Sequence, residues 1–411
     1  MTVSIERRAA NRLLSGRAWD DFCEQLRRTG HMIERFGEEV DELDRAEWYR
    51  FVTRLARNGF ARFLENCEPE RPRLRDTPWR QAINFQSPDQ DHLLAEFVDG
   101  RHDYRITGNR GSIPYFVMAA WTAPQPPDVG ARDWSGWGVD GLAEFDPATL
   151  RTTGFLQSDA IHFDADGNFE VIVSRERPAE GKDWLPITED CVGLLVRTVY
   201  HLRERTVPPA MRIERLDGAS PRPIRPADVA AGLAKAGQTA LGYAELVRSW
   251  WQDNLGKRPN RIRFSRTVYL SNGGVPDRHH GFGTWECAPD EALVIGFTPC
   301  ACDYWIFQLC NIWQENLDNY EDGGGYVQKY RAVYEPDGSV RIVIAAEDPG
   351  IGGNRIDPYG HVHGGMSLRF IKTEGEPPAV TLHRVKLDAL KARGLAALED
   401  VEPIVSGDIT D

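Results

Sequence analysis

The chain has 411 residues, of which 62 are acidic, 49 are basic and 41% are hydrophobic, and its formal net charge is −13. This composition is typical of a globular protein long enough to form two or three hydrophobic cores, and it excludes a collagen-like or intrinsically disordered chain. The acidic balance disfavours nucleic acid as a partner, because phosphate binding requires a basic surface.

The charged N-terminal residues, the short apolar runs and the cysteine spacing favour a cytoplasmic location. Glu6, Arg7, Arg8 and Arg12 are not followed by the apolar segment of a secretory signal. The longest apolar runs, such as residues 192–196, are far too short to span a membrane, and the seven cysteines show no disulfide-framework spacing. We therefore expect a cytoplasmic protein with reduced thiols and no membrane contact.

Helices are expected in two places. From Asp44 to Leu64 apolar residues recur every three or four positions, which is typical of a helix with one buried face. Asp44 and Glu47, three residues later, have the pattern of an N-terminal capping box. A second helix is predicted from Pro226, a residue suited to a first helical turn, to Trp251.

Strand patterns dominate the rest of the chain. Short segments rich in β-branched and aromatic residues, separated by Gly, Pro, Asn and Asp, occupy residues 89–200 and 261–384. Such segments are typical of antiparallel sandwiches or barrels. Within the first region, residues 122–141, with Trp134 and Trp137, are predicted to form a surface loop.

The two strand-rich regions resemble two copies of one unit. In each, an Asp-Gly turn leads into a strand, and an arginine follows the turn glycine after 30 residues in the first copy and 31 in the second. These arginines are Arg197 and Arg369. Tyr115 of the first copy corresponds to Tyr304 of the second. Motifs repeated in the same order at nearly equal spacing indicate an internal duplication.

A series of small motifs runs through the second strand-rich region. They are Glu291-Ala292-Leu293-Val294-Ile295, Tyr304-Trp305, Gln308-Leu309, Asn311, Trp313, Leu317-Asp318, the Asp337-Gly338 turn, Asp348-Pro349-Gly350, Asn354, Asp357, Gly360-His361, Gly364 and Arg369. This series resembles the bacterial family known as domain of unknown function 1214, over roughly residues 278–387. The first region resembles the companion N-terminal half of such proteins. Where the family has Asn-Trp-Leu-Asp, this chain has Arg355 and Ile356, so the aromatic side chain expected at position 355 is missing.

The resemblance implies jelly-roll β-sandwiches, and it implies no reaction, because no activity is established for the family. The predicted fold class is mainly β with flanking α: two related jelly-roll-like antiparallel β-sandwiches, an N-terminal helical segment and a helical linker. The predicted boundaries are residues 1–75 for the helical segment, 76–221 for the first sandwich, 222–258 for the linker, 259–390 for the second sandwich and 391–411 for a C-terminal tail.

Four polar residues of the second copy are the candidate catalytic residues. His361 is the candidate general acid or base, and Asp348 or Asp357 would orient it. Arg369 would hold an anion or a carbonyl group. His361 has no counterpart in the first copy, and function is expected where duplicated halves differ. The structural alternative is that Asp348 shapes a turn and that Arg369, like Arg197, pairs with a buried carboxylate.

Candidate ligand-binding residues are Asn354 and four aromatic residues whose rings can stack on sugars or other rings. The aromatic residues are Tyr304, Trp305, Trp313 and Trp285. Trp305 and Trp313 are eight positions apart on what is predicted to be one strand, so both would point to the same side. The alternative is that these aromatic residues fill the sandwich cores and that Asn354 shapes a turn.

No metal and no cofactor are expected. If a metal is bound, the spacing of His361 and His363 places both imidazoles on one face of a strand. His279 and Glu286 could then complete a set of three histidines and one carboxylate.

The main functional hypothesis is a cofactor-independent enzyme of hydrolase or lyase type that acts on a bulky, ring-containing small molecule in a sandwich pocket. One alternative is a non-catalytic protein that binds a small molecule or carbohydrate, and another is a structural or assembly protein. Each has neither nucleic acid nor membrane as a partner, and homo-oligomerisation stays open. A concave, aromatic-lined cavity around the polar residues of the second copy would favour the first two hypotheses.

Overall fold

The computed structural model describes residues 4–65, 68–76, 86–95, 98–122, 152–254, 259–264, 266, 269 and 275–406. Nearly all of the predicted loop at residues 122–141, including Trp134 and Trp137, lies outside the described residues. No helix in the described part of the chain combines the length and the apolar character needed to cross a membrane.

Four of the five α helices among the described residues form a layer beside the β structure, and the fifth, Leu387–Arg393, packs on the strands Glu291–Phe297 and Val380–Lys386. The five helices are α1 (Ile5–Leu14), α2 (Arg17–His31), α3 (Glu42–Phe60), α4 (Pro226–Asn254) and α5 (Leu387–Arg393). Shorter helical turns lie at Met32–Glu39, Ala61–Glu65, Ser158–Ala160, Arg203–Arg205, Tyr320–Asp322 and Gly394–Asp400. Helix α4 packs against α1, α2 and α3, so the N-terminal helices and the predicted linker helix share one layer.

Helix α3 begins earlier than its predicted cap. Asp41 is the N-cap, and its Oδ1 accepts a hydrogen bond from the Asp44 backbone N–H at 2.8 Å, while Asp44 Oδ2 accepts one from the Asp41 N–H at 3.2 Å. The capping box therefore consists of Asp41 and Asp44, not of Asp44 and Glu47. Two overlapping patterns with the same spacing of three residues explain the error, and the correction leaves Asp44 and Glu47 within the helix.

Two β-sandwiches contain the strands. The strands of the first are β1 (Arg75–Asp76), β2 (His92–Ala95), β3 (Tyr104–Asn109), β4 (Tyr115–Thr122), β5 (Thr152–Gln157), β6 (Asn168–Ser174), β7 (Asp183–Pro186), β8 (Cys191–Val199) and β9 (Ala210–Arg215). Those of the second are β10 (Arg261–Phe264), β11 (Arg278–Glu286), β12 (Glu291–Phe297), β13 (Cys302–Cys310), β14 (Tyr326–Gln328), β15 (Val340–Ile344), β16 (Asn354–Ile356), β17 (His363–Thr373), β18 (Val380–Lys386) and β19 (Ile404–Ser406). The predicted class, mainly β with flanking α, is confirmed.

The strand orders of the two sandwiches correspond. In each sandwich, we call the sheet that packs on the other sandwich the inner sheet and the remaining sheet the outer sheet. The inner sheets have the orders β1-β2-β8-β4-β5 and β10-β11-β17-β13-β14, and the outer sheets have the orders β7-β6-β3-β9 and β16-β15-β12-β18-β19. Only β19 lacks an equivalent among the described strands. Each outer sheet also contains one parallel pair of strands, β6 with β7 and β15 with β16. The sandwiches were predicted to be antiparallel, and these two pairs are the exception.

The strand registers correspond as well. His92 lies opposite Arg197 across β2 and β8. His280 lies opposite Arg369 across β11 and β17. Each inner sheet thus carries one arginine beside one histidine at the same position.

The central strands of the inner sheets, which are β4, β8, β13 and β17, are mostly buried on both faces. One face of each inner sheet packs on the outer sheet of its own sandwich. The opposite faces of the two inner sheets pack on each other through a third core, formed by Tyr115, Val117, Val199, Val275, Tyr304, Ile306 and Ile371. A further core lies in the helical layer and includes Trp48, Trp251 and Trp313.

A buried hydrogen bond joins the two sandwiches. The Tyr304 hydroxyl donates to Asp89 Oδ2 at 2.6 Å, and both side chains are buried. Burial raises the pKa of Asp89 to about 6, although the hydrogen bond from Tyr304 and the charge of Arg203 favour the carboxylate. Protonation of this carboxyl group therefore makes the free energy of unfolding depend on pH.

Replacing Asp89 with Asn should remove one pH-dependent component of stability. The folded pKa of about 6 lies above the unfolded value of 3.8, so the stabilisation from the protonated group is fully present below the unfolded pKa and is lost as pH rises through the folded one. The difference corresponds to about 3 kcal/mol. In urea unfolding, we expect Asp89→Asn to become more stable relative to wild type by up to that amount between about pH 4 and about pH 7.

Asn keeps an oxygen that can accept the Tyr304 hydrogen bond, so the substitution isolates the charge. The exposed residue Asp166, changed to Asn, is the control, and it should leave the shape of the stability curve unchanged. A stability difference between Asp89→Asn and wild type that is the same at both ends of the range would contradict the role of Asp89.

Candidate functional site

The candidate catalytic residues lie in separate parts of the second sandwich. His361 lies in the turn before β17, and Arg369 lies in the middle of that strand. Because each strand residue rises about 3.3 Å, the six residues from His363 to Arg369 span about 20 Å. The structure therefore separates the predicted acid–base histidine from the predicted anion-binding arginine by more than the length of a small molecule.

His361 is buried against helix α3. Its Nε2 lies 3.3 Å from Glu47 Oε1, and its Nδ1 lies 4.0 Å from Asp44 Oδ1. Burial alone would lower the pKa of His361, but Glu47 above all, then Asp44 and Asp41, outweigh it and raise the pKa. The carboxylates that orient this imidazole thus come from the start of α3, which the sequence indicated only as a helix cap.

His363 adds a second imidazole to the same place. Its Nε2 lies 2.7 Å from Asp44 Oδ2, and its ring meets that of Trp251 nearly at right angles at 5.3 Å. We refer to the whole group as the His–carboxylate cluster. Its members are Asp41, Asp44, Glu47, His361 and His363.

Asp348 and Asp357, predicted to orient His361, are exposed turn residues. Asp348 Oδ1 accepts a hydrogen bond from the Gly350 N–H at 2.8 Å. Asp357 Oδ1 accepts one from the Tyr359 N–H, also at 2.8 Å. Both contacts are those of the structural alternative, in which an aspartate side chain stabilises a turn.

The predicted metal set is not assembled. Glu286 lies opposite His363 across β11 and β17 but pairs with Arg384 at 3.3 Å. His279 lies seven positions before Glu286 on β11, which places it about 23 Å away and on the other face of the strand. Its Nε2 lies 2.8 Å from the Gly375 carbonyl oxygen. Of the four predicted ligands, only His361 and His363 lie in the His–carboxylate cluster.

Asn354 holds a loop to the outer sheet. Its Nδ2 donates to the carbonyl oxygens of Val333 and Arg341, each at 2.8 Å, and its Oδ1 accepts from the Val333 N–H at 2.7 Å. The side chain is buried. These three hydrogen bonds to the backbone support the turn-shaping alternative for this residue.

The aromatic candidates are buried in three different cores. Trp285 and Trp305 lie inside the second sandwich, and their Nε1 atoms donate to the Cys310 carbonyl and the Tyr334 hydroxyl. Tyr304 lies between the inner sheets. No common pocket is therefore lined by these residues.

The prediction that Trp313 and Trp305 lie on one strand is wrong. Strand β13 ends at Cys310, and Asn311 Oδ1 then accepts hydrogen bonds from the Trp313 and Glu315 backbone N–H groups, each at 3.0 Å. This turn directs Trp313 into the helical core. There its Nε1 donates to the Asp44 carbonyl oxygen at 3.0 Å, so it supports the His–carboxylate cluster from behind.

A second polar group lies between the two inner sheets. We call it the cationic cluster, and its members are His92, Arg197, Arg278, His280 and Arg369. The three arginines all lower the pKa values of the two histidines, so the five side chains lie close together. Sequence reasoning assigned Arg197 a structural role only and did not select His92. The available signal was the repetition of the arginine at the same position in both copies.

The contacts of the cationic cluster cross between the sandwiches. Arg369 donates from Nε to His280 Nε2 at 2.6 Å and from Nη1 to Gln308 Oε1 at 2.8 Å. Because a guanidinium only donates, a neutral His280 carries its proton on Nδ1. Arg278 of the second sandwich donates to the Tyr115 hydroxyl of the first at 3.2 Å and lies 5.5 Å from that ring.

Desolvation and mutual repulsion weaken the charges of this cluster. Burial, with Arg278 as a further cause, lowers the pKa of Arg197 from 12.5 to about 10. Burial, with Arg197 as a further cause, does the same for Arg369. Each difference corresponds to about 3 kcal/mol, yet both groups stay cationic at neutral pH. Burial also lowers the pKa values of His92 and His280 well below 6.5, so both imidazoles are neutral there.

Three side chains of the cationic cluster are only partly buried. His92, Arg197 and His280 keep part of their surface accessible, although desolvation dominates the pKa of each. Within the described part of the chain, Arg197 Nη1 makes no hydrogen bond.

Surface clefts lie elsewhere on the molecule. One, of about 500 Å³, opens beside Asp89, Arg203 and Arg331. Another, of about 570 Å³, lies among α1, α2 and α4. Neither cleft is lined by any of the candidate site residues.

Replacing Asn354 with Ala should destabilise the protein without affecting either cluster. The change removes a buried side chain whose three hydrogen bonds hold backbone groups of Val333 and Arg341, at a cost of about 2–3 kcal/mol. Urea unfolding should show a lower midpoint with an unchanged slope. Asn354→Asp, which keeps the acceptor and loses both donated bonds, should also destabilise. A midpoint equal to that of wild type for Asn354→Ala would show that the side chain is not structural.

Comparison with known proteins gives a family and no activity. The family model described as "Protein of unknown function (DUF1214)" matches residues 131–201, in the first sandwich and partly outside the described residues. The solved structure of an uncharacterised protein from Burkholderia cenocepacia is similar over 93% of this chain and 100% of that chain, with 30% identity and a TM-score of 0.80.

A structure from Vibrio parahaemolyticus covers 81% of this chain and 97% of its own, with 11% identity and a TM-score of 0.44, which supports no argument. No curated protein matches the chain. The family is the one that the sequence resembles, but the matched residues 131–201 lie in the first sandwich and not at residues 278–387, where the resemblance was seen. With a relative 30% identical over nearly its whole length, the chain belongs to the DUF1214 family of proteins of unknown function.

Proposed function

We propose that the protein binds a small, ring-containing anion in the space between its two inner sheets, and that the cationic cluster holds the acidic group of this ligand. The observation that carries the proposal is the position of Arg197 and Arg369. They occupy equivalent sites on facing strands that are buried on both sides. Guanidinium groups are well suited to carboxylates and phosphates, which they bind through paired hydrogen bonds.

The energetics support a ligand. Two buried arginines whose pKa values fall to about 10 each cost the folded protein about 3 kcal/mol. Apolar residues of similar volume at buried charged positions are often neutral or stabilising. A bound anion would offset the desolvation and the repulsion together, which gives these arginines a role that folding alone does not require.

Aromatic side chains next to the cluster favour a ring. Tyr115 and Tyr304 belong to the core between the inner sheets, and the ring of Tyr269 lies 5.9 Å from that of His280. Rings of this kind can pack edge-to-face or offset on an aromatic ligand. The ligand class is thus narrower than that expected from the sequence, and the site lies between the sandwiches instead of around His361.

An enzyme acting on such an anion is the second candidate. His92 and His280 are neutral at pH 7 because burial lowers their pKa values, and a neutral imidazole can act as a general base. His92 lies opposite Arg197 as His280 lies opposite Arg369, and His92 is the candidate base. Loss of turnover in His92→Gln with ligand binding retained would distinguish the enzyme from the binding protein.

We further propose that the two sandwiches arose by duplication of one unit. The matching strand orders and the matching arginine–histidine positions support this origin. Duplication with the inner sheets facing each other brings two copies of one cationic pair together, so a unit with a single arginine becomes a site with two.

We assign the protein to the cytoplasm in this proposal. The described cysteines are all free, and they are Cys23, Cys191, Cys287, Cys300, Cys302 and Cys310. Free thiols in this number are typical of a reducing compartment.

Anionic probes should stabilise the protein and neutral ones should not. We expect benzoate and phenyl phosphate to raise the Tm in scanning fluorimetry at constant ionic strength, while benzyl alcohol leaves it unchanged. Saturation to a hundredfold excess over Kd would add about 2.7 kcal/mol, or a few degrees. An equal effect of benzyl alcohol would contradict recognition of the charge.

The variant Arg197→Met separates ligand binding from a structural role. Without ligand, it should be at least as stable as wild type, because a desolvated cation is replaced by an apolar group of similar size. It should lose most of the anion-induced rise in Tm. Arg212→Met, at a position with a side chain 73% exposed, is the matched control. If Arg197→Met is destabilised and keeps the anion effect, the arginine serves the structural alternative.

A further inference from the structure

We propose that Asp44, Glu47 and His361 bind a divalent first-row metal ion, which joins helix α3 to the loop before β17. This site is separate from the proposed anion site, since β17 places the two about 20 Å apart. It also differs from the ligand set expected from the sequence, because its carboxylates come from the N-terminal helix.

The donor atoms have the spacing of metal ligands. One ligand atom from each of Asp44, Glu47 and His361 lies within 4.8 Å of the other two. His361 Nε2 and Glu47 Oε1 are 3.3 Å apart. Two ligands at about 2.0–2.1 Å from a tetrahedral ion are separated by about 3.3–3.4 Å. The observed separation fits two ligands of one ion, as it also fits an ion pair.

Two of these donor atoms make no hydrogen bond within the described structure, although His361 Nε2 lies at ion-pair distance from Glu47 Oε1. Asp44 Oδ1 and His361 Nε2 are buried and make no hydrogen bond among the described residues. Both side chains are only 1% exposed. Buried polar atoms are nearly always hydrogen-bonded, and an exception calls for an explanation such as an ion. These two atoms belong to neighbouring side chains whose closest N–O approach is 4.0 Å.

The remaining carboxylate oxygens are held by a surrounding shell. Asn311 Nδ2 donates to Glu47 Oε2 at 2.8 Å, which leaves Oε1 directed at His361. Asp44 Oδ2 is occupied by the Asp41 N–H and by His363 Nε2 at 2.7 Å, which leaves Oδ1 unused. Such partners orient ligands in established metal sites. His363 is therefore a positioning residue for Asp44, not a ligand.

The donor set selects the class of ion. Imidazole nitrogen combined with carboxylate oxygen suits Zn²⁺, Fe²⁺ or Mn²⁺ better than Ca²⁺, which prefers six to eight oxygen ligands. Two carboxylates balance the charge of a dication in a place that excludes most solvent. Three protein ligands leave a fourth position for water or another group.

The test uses the untagged full chain, dialysed against a chelator and then titrated with Zn²⁺ by calorimetry, with Co²⁺ as a spectroscopic probe. We expect saturable binding of one ion per chain, visible Co²⁺ bands of low coordination number, and a Tm that rises with Zn²⁺ by mass action. Glu47→Gln and His361→Gln should each weaken Zn²⁺ affinity by at least about tenfold. His279→Gln, a buried histidine outside the cluster, should bind as wild type does.

His363→Gln locates the ion within the cluster. The set Asp41, Asp44 and His363 also has metal-like spacing, but its Asp41 is exposed. If Zn²⁺ binding survives His361→Gln and is abolished by His363→Gln, the ion occupies that second set and the proposal is overturned. The absence of saturable Zn²⁺ and Co²⁺ binding by wild type overturns it as well, and leaves a buried ion pair between a protonated His361 and its carboxylates. If Glu47→Gln does not fold, as judged by circular dichroism, His361→Gln decides the outcome.

Discussion

The central strands of both inner sheets are buried on both faces, and most of this structure depends on that constraint. On β13, residues from Tyr304 to Cys310 are all buried, and on β17 the same holds from Gly364 to Ile371. A strand in this position has no solvent face to which a polar side chain can turn. Every charge on it must therefore be paired, neutralised or compensated by something else. Arg369 and its equivalent Arg197 stand in this setting, which gives them more functional weight than a surface arginine would have.

The helical layer imposes a different constraint on the far end of the second sandwich. The chain turns after β13 ends at Cys310, and the Trp313 side chain enters the helical core, where its ring lies 4.8 Å from that of Trp48. This anchor fixes the first turns of α3 against the loop before β17, and it directs Asp44 and Glu47 toward His361 and away from solvent. The capping box, a local device that satisfies backbone N–H groups, is thereby placed where its carboxylates can also serve a buried site.

Sequence patterns predicted the architecture well because its main signals are local. The Asp-Gly turns and the alternating apolar residues depend on neighbours only a few positions away, and they led to the sandwich class. The nearly equal spacing of 30 and 31 residues from each turn to its arginine led to the equivalence of Arg197 and Arg369. The errors at α3 and β13 are also local. One spacing occurred twice in succession at Asp41, and the Asn311 turn interrupted an otherwise continuous apolar pattern.

The candidate sites were beyond such patterns. His363 contacts Asp44 across 319 positions of sequence, and periodicity carries no information at that range. The sequence drew attention to His361 because it lacked a counterpart in the first copy. His361 does lie in a polar cluster, but its carboxylates are Asp44 and Glu47 instead of the predicted Asp348 and Asp357. For the cationic cluster, symmetry itself was the signal, and it was taken as evidence for a structural role.

The equivalent positions of Arg197 and Arg369, together with the desolvation of both guanidinium groups, favour a functional role for the cationic cluster. A residue that only holds a fold together should be compensated in that fold, whereas desolvation and neighbouring cations lower the pKa values of both arginines. The His–carboxylate cluster has the opposite sign, with carboxylates in excess of imidazoles and one oxygen left without a hydrogen bond among the described residues. Among the described residues, the cationic cluster thus carries an excess of positive charge, with Asp277 3.6 Å from Arg278, and the His–carboxylate cluster carries an excess of carboxylates. Because about 20 Å of β17 separates them, neither can neutralise the other, and the two ligands proposed for them are independent of each other.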